Sequence, residues 1–164
     1  MTTFYKVQSS STSLSLTSFN SLASGSSWAS AVVSCLDSSS RLYQDISINV
    51  IAKTASGTIG STNPQLSLFI APINQDGSTY TDGVTAGPST YTPVTSPNSP
   101  LLGVLNVGAS ATTESGSFSV RQALGWVALP PSFILWITNS TGLALASSGN
   151  TIYWAGVSGL VGQP

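Results

Sequence analysis

The chain has 164 residues, about one domain's worth, and only 9 of them are charged, 5% where an ordinary soluble domain carries about 25%. Four dispersed basic residues (Lys6, Arg41, Lys53, Arg121) exclude a nucleic-acid backbone as the main partner. The absence of histidine and the presence of a single cysteine remove the usual zinc and iron ligand sets and any intrachain disulfide. Hydroxyl residues take the place of charge, with 32 Ser and 18 Thr making about 30% of the chain.

In chain order, residues 1–20 are Ser/Thr-rich and weakly patterned, and read as an N-terminal arm or edge strand ahead of a single domain over 21–164. Thr12–Phe19 alternates Leu14, Leu16 and Phe19 less regularly, and Ser26–Val33 is the next β-like run. Leu36–Leu42 has room for one helical turn. Leu42–Lys53 alternates cleanly, with Ile46, Ile48, Val50 and Ala52 on one face and Asp45, Ser47 and Asn49 on the other. Gln65–Ile73 repeats the pattern through Leu66, Leu68 and Ile70, and further strands are expected at Leu101–Val107, Gly116–Gln122, Ser132–Asn139 and Thr151–Val157. Asp76-Gly77, Asp82-Gly83, Asn139–Gly142 and Ser148–Asn150 supply turns. Eight to ten strands at this spacing predict an all-β fold, an antiparallel β-sandwich of jelly-roll type. Ala86–Pro100 holds four prolines and reads as a second appendage to the core.

Catalytic chemistry finds little purchase. A serine nucleophile has no histidine to activate it, and neither Ser-x-x-Lys ahead of Lys6 or Lys53 nor Gly-x-Ser-x-Gly occurs. Asp76 and Asp82 are the only close acidic pair; each precedes glycine, the habit of a turn aspartate rather than of a glycosidase pair or a calcium loop. No catalytic residue, metal or cofactor is therefore expected. Asn139-Ser-Thr141 matches a glycosylation acceptor but reads as a turn, and Cys35 reads as a small buried residue. No run of about 18 apolar residues marks a membrane span, and the first residues lack the layout of a secretory signal.

A surface so poor in charge points to a partner. Trp136 and Trp154 are read as core. Trp126, in the apolar corner closed by Leu129, Pro130 and Pro131, is open between core and interface. Tyr91, Pro93, Pro97 and Pro100 complete the candidate interface.

Phe118–Asn150 together with Thr79–Tyr91 resembles small virion proteins of tailed bacteriophages, in which a Phe-Ser strand leads to a Leu-Pro corner and a hydrophobic strand ends in an Asn-x-Thr-Gly turn. Members similar to capsid cement or decoration proteins are β-rich oligomers, frequently trimers. The resemblance thus implies a homotrimer made in the host cytoplasm, seated on the major capsid protein at the capsid surface, stabilising contacts between capsomers. The alternative is a carbohydrate-binding sandwich of a phage head or tail appendage, with Trp126 and Tyr80 as its exposed aromatics.

Overall fold

A computed structural model of the chain describes residues 4–93, 97–108, 110–125 and 127–161. Ten strands follow one another: β1 (Phe4–Gln8), β2 (Thr12–Ser13), β3 (Ser27–Ser34), β4 (Asp45–Lys53), β5 (Gln65–Pro72), β6 (Ser89–Tyr91), β7 (Leu101–Asn106), β8 (Thr113–Ser119), β9 (Ser132–Asn139) and β10 (Thr151–Val161). They form two antiparallel sheets. The first runs β1-β10-β4-β8, with β2 also on β10; the second runs β6-β3-β9-β5-β7.

The pairing is nested. β1 and β2 lie on β10, β3 on β9, β4 on β8 and β5 on β7, as in one long hairpin. Successive rungs of that hairpin alternate between the two sheets, and this rolled-up ladder is the jelly roll.

Alternation explains the core. In β4 the residues Ile46, Ile48, Val50 and Ala52 are all buried, as are Leu66, Leu68 and Ile70 of β5 and Phe133, Leu135 and Ile137 of β9. Each large side chain so placed contributes about 1.5–3 kcal/mol. Leu14 and Phe19, between β2 and β3, also enter this core, and Phe19 packs on Trp28 with ring centroids 5.0 Å apart.

β9 is apolar on both faces. Its outward Ile134 and Trp136 build a second cluster with Ala29, Ala71 and Val84 on the far side of the second sheet. Trp136 is thus buried as expected, though outside the sandwich interior; Trp154 is half-buried and packs against the main core. From the long β5–β7 connection, Tyr80, Val84 and Tyr91 join the cluster that holds Trp136. Phe69 stacks on the indole at 4.1 Å, and Tyr91 meets it edge-on at 5.5 Å.

Three local expectations need correction. The proline-rich segment read as an appendage contributes β6, which pairs with β3 from Ser89 to Tyr91; an edge strand tolerates nearby prolines. Gly116–Gln122 does not stay extended. Ser119 ends β8 and its hydroxyl accepts from the Gln122 N–H, starting a one-turn helix α1 (Val120–Ala123). Around Asp37 the chain makes a tight turn closed by a Leu36–Leu42 bridge, with the Asp37 carboxylate accepting from the N–H groups of Ser39 and Arg41, in place of a helical turn.

Candidate functional site at one end of the sandwich

Rolling the hairpin sorts the connections by end. Among the described residues, 14–26, 54–64, 107–108, 110–112 and 140–150 gather at one end, while 35–44, 120–125 and 127–131 lie at the other, where the β5–β7 connection also leaves β5 and enters β7. Hydrogen bonds tie the second group together: Cys35 N–H to the Pro131 carbonyl, Ile73 N–H to that of Ser132, and Ile70 N–H to that of Pro100. The apolar corner and Pro100, remote in sequence, therefore meet the sheets at the same end, whereas β6 carries the proline-rich segment along β3 until Tyr91 stands opposite Ser27 at the other end.

The candidate residues divide there. Leu129 is buried in the main core, and Pro130 is half-buried beside it. Trp126 lies outside the described residues. Tyr91 is half-buried against Trp136, its hydroxyl donating to the Asp82 carbonyl at 3.2 Å. Pro93 and Pro100 are half-buried and Pro97 is exposed. Tyr80 sits in the second cluster, its hydroxyl 3.3 Å from that of Ser132.

Sequence reasoning missed the apolar side chains that do face outward. Val127 (59% exposed), Leu101 (50%), Leu42 (48%) and Val32 (44%) lie in or within a few residues of this end, whereas the less exposed Val104 sits within β7 and Tyr153 lies toward the opposite end. Val127 and Leu101 each adjoin a named proline segment, a signal that was present; Leu42 and Val32 carried none. The five strands of the second sheet contain no charged residue, so nothing along them opposes close approach of an uncharged surface.

Asp76 and Asp82 each hold a turn through backbone hydrogen bonds. The Asp76 carboxylate accepts from Ser78 N–H, Thr79 N–H and the Thr79 hydroxyl, all within 2.9 Å; these bonds, the Thr79 hydroxyl first, lower its pKa to about 2. Asp82 accepts from Asn98 N–H at 2.9 Å and Ser99 N–H at 2.7 Å. Partial burial pulls that carboxyl upward, but the hydrogen bonds from Ser99 and Asn98 outweigh it and hold it below its ordinary value. Asp82 thereby joins the outgoing leg of the 73–100 connection to its return. Among the described residues no three His, Cys, Asp or Glu side chains converge.

The opposite end is locked by asparagine. Asn139 is fully buried: its amide donates to the Leu22 and Leu143 carbonyls (2.8 and 2.9 Å), and its oxygen accepts from the N–H and hydroxyl of Thr141. A glycan has no access to that nitrogen in the folded chain. Comparison with protein-family models, curated proteins and solved structures finds no match.

Proposed function

We propose that this chain is a structural virion protein, a capsid cement or decoration protein that seats as a homotrimer on the outer shell of a bacteriophage and stabilises contacts between capsomers. The observation that carries the reading is the placement of four exposed apolar side chains, with the Leu129–Pro131 corner and Pro100, at one end of a charge-poor jelly roll. A surface of this kind gains by being covered, and short hydroxyl side chains lose little rotamer entropy when it is. The resemblance of Phe118–Asn150 to phage virion proteins supplies the kind of partner. Jelly rolls also serve lectins, so the fold alone does not select it.

The action is mechanical: each trimer adds buried area across joints that internal pressure tends to open. The test is co-sedimentation of the purified chain with capsids of the phage that encodes it, at low and high salt. Binding that changes little with salt is expected, because few charges take part. Leu42→Asp and Val127→Asp, both at exposed positions, are expected to weaken it at least about 10-fold without lowering Tm. A chain that stays in the supernatant, or binding that collapses on adding salt, overturns the reading.

A further inference from the structure

Six pairs in the chain set an Asp or Asn before a Gly or Ser: Asn20-Ser21, Asp37-Ser38, Asp76-Gly77, Asp82-Gly83, Asn98-Ser99 and Asn139-Ser140. The small following residue lets its backbone nitrogen approach the side-chain carbonyl carbon of the Asp or Asn. When it attacks, its proton leaves with the side-chain group, as water from a neutral Asp carboxyl or as ammonia from Asn, and a succinimide ring closes. One water then opens the ring, at the side-chain carbonyl to give Asp or at the main-chain carbonyl to give isoaspartate. Ring closure therefore needs a nitrogen free to lose its proton and turn toward the side chain.

At five of the six pairs that nitrogen is tied. The Gly77 N–H donates to the Asn74 carbonyl at 3.0 Å, and the Gly83 N–H to that of Tyr80 at 3.1 Å. Ser21 N–H donates to the Ala146 carbonyl at 3.2 Å, Ser140 N–H to that of Gln65 at 2.9 Å, and Ser99 N–H to Asp82 Oδ2 at 2.7 Å. The side chains are held too. Asn139 makes four hydrogen bonds, and the Asn20 oxygen accepts from Asn150 Nδ2. The Asp76 carboxylate is held by the N–H groups of Ser78 and Thr79, and that of Asp82 by Asn98. At Asp82, ψ of 16° leaves the Gly83 nitrogen nearly eclipsed with the Asp82 nitrogen, whereas the ring closes with it eclipsed with Cβ. Reaction at these pairs must wait for local opening, and is slowed in proportion to the rarity of the open state.

Asp37-Ser38 is the exception. Its turn uses the N–H groups of Asp37, Ser39, Ser40 and Arg41 but passes over that of Ser38. Ser38 is exposed, and its N–H has no hydrogen-bond partner among the described residues. The Asp37 carboxylate accepts from the Arg41 and Ser39 N–H groups and from Arg41 Nε, bonds that hold its pKa below the ordinary value. They keep it ionised and slow the attack, but they leave the nitrogen free.

We propose that spontaneous backbone isomerisation of the folded chain falls on Asp37-Ser38, the other five pairs being locked by the fold. Isoaspartate lengthens the backbone within the turn closed by the Leu36–Leu42 bridge, so ageing acts beside the exposed Leu42. The inference rests on hydrogen bonds within the chain and does not depend on the capsid reading.

The test ages the full chain at neutral pH, native and in urea, and maps isoaspartate in its proteolytic peptides with a methyltransferase specific for that residue. In urea no N–H is held, and Asp76 and Asp82 are expected to lead because glycine hinders attack least. In the native chain both should form isoaspartate at least about 10-fold more slowly, which leaves Asp37 as the leading site. Amide exchange of the native chain reads the lock directly. Ser38 should exchange as an open peptide does, and Ser21, Gly77, Gly83, Ser99 and Ser140 at least about 10-fold more slowly. Isoaspartate at Asp76 or Asp82 that forms as fast in the native chain as in urea would overturn the proposal. So would a native map led by another site or blank at Asp37, or a Ser38 amide as protected as that of Gly77.

Discussion

Single residues set the stability of this molecule more than its charges do. Asn139 fills two donor and two acceptor positions in a dry site, so Asn139→Asp takes one donor from each of the Leu22 and Leu143 carbonyls, next to which the Leu145 N–H and the Thr141 hydroxyl remain, and buries a carboxylate. A loss of at least about 3 kcal/mol is expected, seen calorimetrically as a Tm lower by roughly 6–12 °C. An unchanged Tm would show that the hub is dispensable. Asp76 gives a pH signature. Its folded pKa of about 2 lies below the ordinary 3.8, so its contribution is complete above about pH 4 and is lost as pH falls toward 2. Asp37 and Asp82 are lowered too and act in the same direction. Chemical denaturation of Asp76→Asn between pH 5 and 2 should therefore show a shallower acid loss than the parent; an identical slope would remove Asp76 from the account. Burial pushes the Cys35 thiol up to about 12. It is expected to resist a thiol-specific reagent at neutral pH and to react once the chain is unfolded. Rapid modification of the native protein would contradict that burial.

Among elements, the strands that alternate were legible and the interruptions were not. Ile46 to Ala52 and Leu66 to Ile70 read correctly because a period of two leaves one choice of buried face. Ser132–Asn139 has no such alternation, since the 73–100 connection covers its outer side as well; its bounds were plain, but Trp136's cluster was hidden. β6 escaped because its pairing with β3 is fixed by contacts distant in sequence, and α1 because one serine hydroxyl and one distant carboxylate turn the chain. Of the candidate site, the two segments were legible, but that Pro131 and Pro100 share one end while Tyr91 reaches the other was not, because only the rolled topology sets those positions. The 73–100 connection should behave as a local unit held by Asp82, which has φ of 61°. Asp82→Gly suits that backbone but removes the carboxylate, and amide exchange is expected to quicken about 10-fold at residues 84–93 and 97–99 while β4 and β10 stay protected. Uniform acceleration would mean that no separate latch exists. At the far end, Gly142 has φ of +83°, and a Cβ there would reach the backbone nitrogens of Ser61 and Gly60 at 2.7 and 2.8 Å. Gly142→Ala should cost more than about 1 kcal/mol for the backbone alone, and a denaturation midpoint equal to the parent's would refute the close approach.

At the scale of the whole molecule, the account joins two properties. The surface is poor in charge, and four of its exposed apolar side chains lie at one end of a jelly roll. Together these describe a body suited to being covered there, and a decoration protein seated on a shell is the form of covering the account proposes. The most direct measurement is the mass of the purified chain by light scattering on a sizing column, over a range of concentrations at moderate salt. The account predicts a trimer of about 50 kDa, built from 16.7 kDa protomers, that persists on dilution and at high salt. A species that remains at 16.7 kDa at every concentration would contradict it.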